Sequence, residues 1–218
     1  MRAFINRHKL FWLQKNLVFD VLVGFLFLAI SIIATYYANI YTTARASNSV
    51  TDIFLDNLPV VNVNFLFNDG ALIFIALLTI IAMQKPGRIT FMLKSTALFL
   101  LVRSIFMTLT HIAPPIQQSY INPSDIIAKL SSGDDLFFSA HTGLPFLFTL
   151  EFWNHKFLKY IFAAITFIGG TSVLLGHLHY SIDVFSALFI SFGIFYTAKT
   201  MFSKDYSLFL KEEDALIG

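Results

Sequence analysis

The chain has 218 residues, of which 56% are hydrophobic and 13% charged, with a formal net charge of +2, and its mean hydropathy is +0.71. A soluble domain of this size is about one quarter charged, so the composition predicts a multi-pass membrane protein, and the small, dispersed basic excess excludes a nucleic-acid binder. Cysteine is absent, which removes disulfide frameworks, thiolate metal sites and cysteine nucleophiles.

A helix needs about 20 mostly apolar residues to cross a bilayer. Taken in chain order, such runs fall at Leu17–Tyr41, Phe65–Met83, Ile89–His111, Phe137–Trp153, Phe157–Leu178 and Ser181–Met201. No small-residue cleavage site follows the first run, so it reads as a retained helix, not a signal peptide. The expected fold is all-α: a single integral membrane domain over residues 1–218, built as a six-transmembrane-helix bundle. The closing "SKDYSLFLKEEDALIG" reads as a short solvated tail.

Lys and Arg set the orientation. With the N-terminus in the cytoplasm, the inner segments hold Arg2, Arg7, Lys9, Lys15, Lys85, Arg88, Lys156, Lys159, Lys199, Lys204 and Lys211, whereas the outer loops hold only Arg45 and Lys129. Both termini are therefore expected to be cytoplasmic. The polar residues near the helix ends then gather at the outer membrane face, which is where an active site is expected.

Charges inside spans cost about 2.5–3.5 kcal/mol near a helix centre. Lys94 is near enough to the inner end of its span to snorkel, and Asp20 is only a turn inside its own. Arg103 lies about 16 Å before Pro114 along a helix axis, too deep for snorkelling alone, and points to a buried anionic partner or a wet cavity. Next comes "GDDLFFSAHTGLPF", Gly133 to Phe146, where Ser139, Ala140 and His141 open a helix whose free N–H groups suit an anion; Ser139 and Thr142 as plain caps is the structural alternative. In "GHLHYSIDVFSA", His179 and Asp183 are four apart on one helical face. A carboxylate there fixes the imidazole tautomer and leaves the other nitrogen free to attack. His177 completes an H-x-H pattern that raises a metal reading, but no third ligand of suitable spacing follows, so neither metal nor other cofactor is expected. Asp69, at the start of the second span, reads as an interfacial cap or as an acidic contact for a substrate ammonium.

Three of these stretches resemble the motifs of sphingomyelin synthases and their bacterial relatives, a branch of the type-2 phosphatidate phosphatase (PAP2) superfamily. "DLFFSAHTG" (Asp135–Gly143) is similar to GD-x-L-F-S-G-H-T, "HLHYSIDV" (His177–Val184) to H-x-H-Y-T-x-D-V, and "VRSIFMTLTHIAPP" (Val102–Pro115) to the arginine-bearing third-helix motif. The likeness runs from about Phe65 to Phe202, the expected catalytic core (about 65–202). Ser172 stands seven residues before His179, as the wider superfamily pattern asks. Two positions depart: Ala140 replaces a glycine, and Val173 stands where the superfamily has an arginine. One cation fewer suits a singly charged phosphodiester, unless Lys129 or His111 makes up the charge.

The resemblance implies a lipid phosphatase or phosphotransferase working through a phosphohistidine. His179 would be the nucleophile, Asp183 its orienting acid and His141 the general acid and base. Arg103, Ser139, Ala140, His177 and Asp69 would surround the phosphate or the substrate. The expected partners are a membrane phospholipid or lipid phosphate and the bilayer, in a bacterial inner membrane with the site facing the periplasm or exterior. Oligomeric state, substrate, and the choice between phosphatase and headgroup transferase stay open. The competing class is a non-enzymatic transporter or lipid-binding protein.

Overall fold

The structure, a computed structural model, describes residues 2–130 and 136–214, and every regular element among them is helical. In chain order these are α1 (Arg2–Trp12), α2 (Lys15–Arg45), a π turn (Phe65–Asp69) running into α3 (Gly70–Gln84), a 3-10 turn (Pro86–Arg88) running into α4 (Ile89–Leu109), α5 (Ile126–Leu130), α6 (Ala140–Glu151), α7 (Leu158–Leu175), α8 (Ser181–Met201) and α9 (Ser203–Asp214). Five stretches are long and apolar enough to cross a membrane: Lys15–Arg45, Phe65–Gln84, Pro86–Leu109, Leu158–Leu175 and Ser181–Met201. They coincide with five of the expected spans and are consistent with an integral membrane protein.

The expected span Phe137–Trp153 takes a different form. Its helix, α6, has 12 residues, about 18 Å at 1.5 Å per residue, against a hydrocarbon core of about 30 Å. On its N-terminal side Phe137 and Phe138 have positive φ values of 94° and 27°, which no helix tolerates. Part of this stretch is covered by protein: Leu147, Phe148 and Phe152 are each at most 1% exposed, and α6 packs on both α7 and α8. The other close pair is α2 with α4.

Lipid tails are as apolar as leucine, so helices in a bilayer are held by close packing. Two devices supply it here. Phe91, Phe99, Phe138, Phe148, Phe152, Phe162 and Phe209 form one buried aromatic core, with edge-on pairs such as Phe99–Phe138 at 5.4 Å. A side chain at Gly169 would strike the His141 backbone, and one at Gly143 or Gly170 would crowd the Ser191 or Val184 side chain, so these glycines let α6, α7 and α8 pack closely.

The closing segment is not a solvated tail. α9 folds back against the start of α4, with Phe209 fully buried. Lys94 does not snorkel: its Nζ donates to Asp205 Oδ2 at 2.7 Å, and both side chains are buried. Arg88 pairs with Glu213 through Nε at 2.6 Å, and Lys85 donates to the Glu212 carbonyl. These pairs close the end of the bundle remote from the starts of α6 and α8.

Candidate active site

The site forms where the ends of α4 and α7 meet the beginnings of α6 and α8. α7 ends in a Schellman motif: Leu178 N–H donates to Val173 O at 2.9 Å and His177 N–H to Leu174 O at 3.0 Å. Such a motif puts one residue in the left-handed region, usually glycine; here it is His177, with φ 53°. Its accompanying apolar contact is present too, because Val173 and Leu178 share a buried cluster with Val63, Phe67 and Val184. The chain then reverses through His179 into α8.

Asp183 binds that reversal. Its Oδ2 accepts His179 Nδ1–H at 3.2 Å and Tyr180 N–H at 3.1 Å, so one oxygen both caps α8 and fixes the imidazole. Both side chains are 4% exposed. With the proton on Nδ1, the lone pair of His179 lies on Nε2.

The turn before α6 is tied to two other helices. Arg103 Nε, from α4, donates to Phe138 O at 3.1 Å, and Ser139 N–H donates to Asp183 O at 3.0 Å. The left-handed Phe137 and Phe138 aim these groups, a local strain of the kind that collects at functional sites. Ser139 is the N-cap residue of α6 without a side-chain cap bond, and its buried Oγ, like that of Thr142, has no hydrogen-bond partner; the plain capping alternative therefore fails for Ser139. His141 Nε2–H donates to Phe67 O at 3.1 Å, and its ring stacks on Phe67 with centroids 4.2 Å apart.

Arg103, His141, His179, Ala140 and Ser172 line a cavity of about 380 Å³. The remainder of its wall is largely apolar, with Phe74, Leu77, Leu144, Pro145, Ile165 and Ile168 among the residues that line it. Two imidazoles and a guanidinium thus share one cavity with a largely apolar lining. Arg103 is 3% exposed and lines this cavity.

Other expected residues are placed elsewhere. His177 is absent from the cavity wall; its Nε2–H donates to Leu58 O at 3.2 Å. Asp69 is exposed and does not line the cavity either, although its neighbour Gly70 does. His111 lies outside the lining, with its carbonyl held by Ser47. Val173 is fully buried in the apolar cluster under α7. Gly133, Asp134, Asp135 and the Lys129 side chain lie outside the described residues. Among the described residues no group of three His, Cys, Asp or Glu side chains is arranged to hold a metal ion.

Three contributors carry no motif signal. Thr35 of α2 reaches the cavity and hydrogen-bonds Ser104 at 3.0 Å. Phe67 holds His141 through both its ring and its carbonyl. Asp52 accepts Ser181 N–H, at the first turn of α8, at 2.7 Å.

Residues 133–200 match the family model described as PAP2 superfamily C-terminal. The match makes this segment similar to the C-terminal part of the PAP2 superfamily. The matched segment contains His141, His177, His179 and Asp183, while Arg103 and Asp69 precede it. No curated protein matches the chain.

Proposed function

We propose that the chain is a metal-independent membrane enzyme that removes or transfers the phosphoryl group of a lipid phosphate or phospholipid, in the manner of the sphingomyelin synthase-like branch. The observation that carries this reading is the composition of the cavity: Arg103, His141 and His179 line it together with mostly apolar residues, so phosphate and hydrocarbon of one molecule both find matching surroundings.

In the first step Nε2 of His179 attacks phosphorus. A P–N bond forms, the P–O bond to the leaving alcohol breaks, and His141 gives that oxygen a proton. In the second step His141 takes a proton from water or a lipid hydroxyl, whose oxygen attacks phosphorus, and the P–N electron pair returns to His179. Asp183 balances the charge on the His179 ring throughout. Arg103 faces the phosphate oxygens, so the charge that builds up in the transition state meets a preorganised cation; Ser139 is fully buried and does not line the cavity. Water as acceptor makes a phosphatase, and a lipid alcohol makes a headgroup transferase. The distribution of Lys and Arg supports cytoplasmic termini and a site at the outer membrane face.

Purified protein in vesicles containing labelled phosphatidic acid or headgroup-labelled phosphatidylcholine tests the proposal. Free phosphate identifies a phosphatase and label in a new lipid a transferase, and His179→Ala and His141→Ala should each abolish turnover. Turnover unchanged in both variants would favour the non-enzymatic reading.

A further inference from the structure

Residues 46–63 carry no helix, yet this loop is hydrogen-bonded to His177, Tyr180 and Ser181 around His179, and its Val63 shares a buried cluster with Leu178. His177 donates to Leu58 O. Tyr180, 2% exposed, donates its hydroxyl hydrogen to Ala113 O at 2.9 Å and accepts Val50 N–H at 3.1 Å. Ser181 N–H reaches Asp52 Oδ2 at 2.7 Å. The other oxygen of Asp52 accepts Phe54 N–H at 2.8 Å and Leu55 N–H at 3.2 Å, and its carbonyl accepts Asp56 N–H at 2.8 Å. That turn seats Leu55 in a buried cluster with Tyr180 and Leu136. Asp52 is thus the joint between a compact outer turn and the first N–H groups of α8.

Two carboxylates therefore grip the start of α8, and they do different work. Asp183 orients the imidazole itself. Asp52 touches neither His179 nor the cavity wall, and it fixes the backbone that carries the imidazole, with Tyr180 as the second fastening. We infer that Asp52 is a positioning residue for His179, acting through Ser181; the inference rests on the reading of His179 as the group that attacks phosphorus. A loop that served only stability would have no need to fasten the residues on both sides of the nucleophile. Misplacing a reacting atom by about 1 Å can cost about a hundredfold in rate, so this fastening should register in kcat. Arg103 and the apolar wall belong to other elements, so KM should be spared.

The test compares Asp52→Ala, Tyr180→Phe and His179→Ala on whichever of phosphatidic acid and phosphatidylcholine the wild type turns over, with rates normalised to folded protein. For Asp52→Ala the expected kcat falls about ten- to a hundredfold with KM within about twofold. Tyr180→Phe keeps the ring packing and loses only the hydroxyl links, with a smaller fall of the same kind; it decides the matter if Asp52→Ala does not fold. Should both variants keep wild-type kcat while His179→Ala is inactive, the positioning role is overturned and the catalytic reading stands. A raised KM at unchanged kcat also overturns it, because the loop would then serve binding. Turnover surviving in His179→Ala would remove the catalytic reading and this inference with it.

Discussion

The carbonyl of His141 lies against Gly169 so closely that a Cβ on Gly169 would fall 2.2 Å from its oxygen. The cause is two residues in α6 and one in α7. Pro145 has no N–H to offer the His141 carbonyl four residues back, and that carbonyl instead faces the neighbouring helix where the glycine leaves room. Gly169→Ala must push α6 away from α7. It should destabilise the protein by about 1–3 kcal/mol, the usual cost of overpacking, and lower kcat through displacement of His141. Thermal unfolding in mild detergent, together with turnover per folded molecule, checks both parts.

Asp183 holds His179 Nδ1 and Tyr180 N through the same oxygen. Asp183→Asn can therefore keep both bonds by placing its one oxygen there, and it loses only the negative charge. Asp183→Ala loses charge, tautomer control and cap together. Turnover in Asp183→Asn should drop on the order of a hundredfold, and Asp183→Ala should fall further and lose about 1 kcal/mol of stability. Steady-state assays on the two variants, side by side, separate charge from geometry.

Lys94 and Asp205 lie 111 residues apart in sequence and 2.7 Å apart in space. Removing one partner strands a buried charge, which typically costs about 3–5 kcal/mol, whereas replacing both with apolar residues is often neutral. Asp205→Ala should therefore unfold at distinctly lower temperature, and Lys94→Met with Asp205→Leu should regain much of the loss. The pair closes the end of the bundle away from His179, so specific activity of the folded double variant should match wild type.

Burial alone would raise the Asp52 carboxyl, but bonds from the Ser181 backbone and side chain and from the Leu55 and Phe54 backbone outweigh it and hold the group below its ordinary value. A depressed carboxyl contributes stability that is complete above its unfolded value and disappears as pH falls through its folded value. The loop should thus be firmly attached at neutral pH and loosen below about pH 4. Hydrogen-exchange protection at Ser181 and Phe54, corrected for intrinsic rates, should fall over that range in wild type and be low throughout in Asp52→Ala.

Hydropathy located the long lipid-facing helices because length and apolarity alone define them. It does not distinguish the short α6, where Leu147, Phe148 and Phe152 are buried by protein and read the same as residues buried by lipid. The opposite error befell α9, whose charges suggested solvent while Phe209 and the ion pairs of Asp205 and Glu213 bind it to the bundle. Helical spacing sufficed for His179 and Asp183, which are local partners, and depth along α4 sufficed for Arg103. No spacing rule could reveal Asp52, a lone carboxylate in a polar loop whose partner is Ser181. His177 looked like a companion to His179 but proved to hold a left-handed helix end, a conformation that residue identity rarely signals outside glycine.

The most direct measurement of the central claim is chemical trapping of the covalent intermediate. Wild-type protein in vesicles is given the lipid it turns over, labelled with radioactive phosphorus, and quenched in base within one turnover. The account predicts acid-labile, base-stable phosphohistidine at residue 179, absent from His179→Ala and accumulating when His141 is replaced only if the first step still proceeds. Lipid turnover at an undiminished rate with no label on His179 would contradict it.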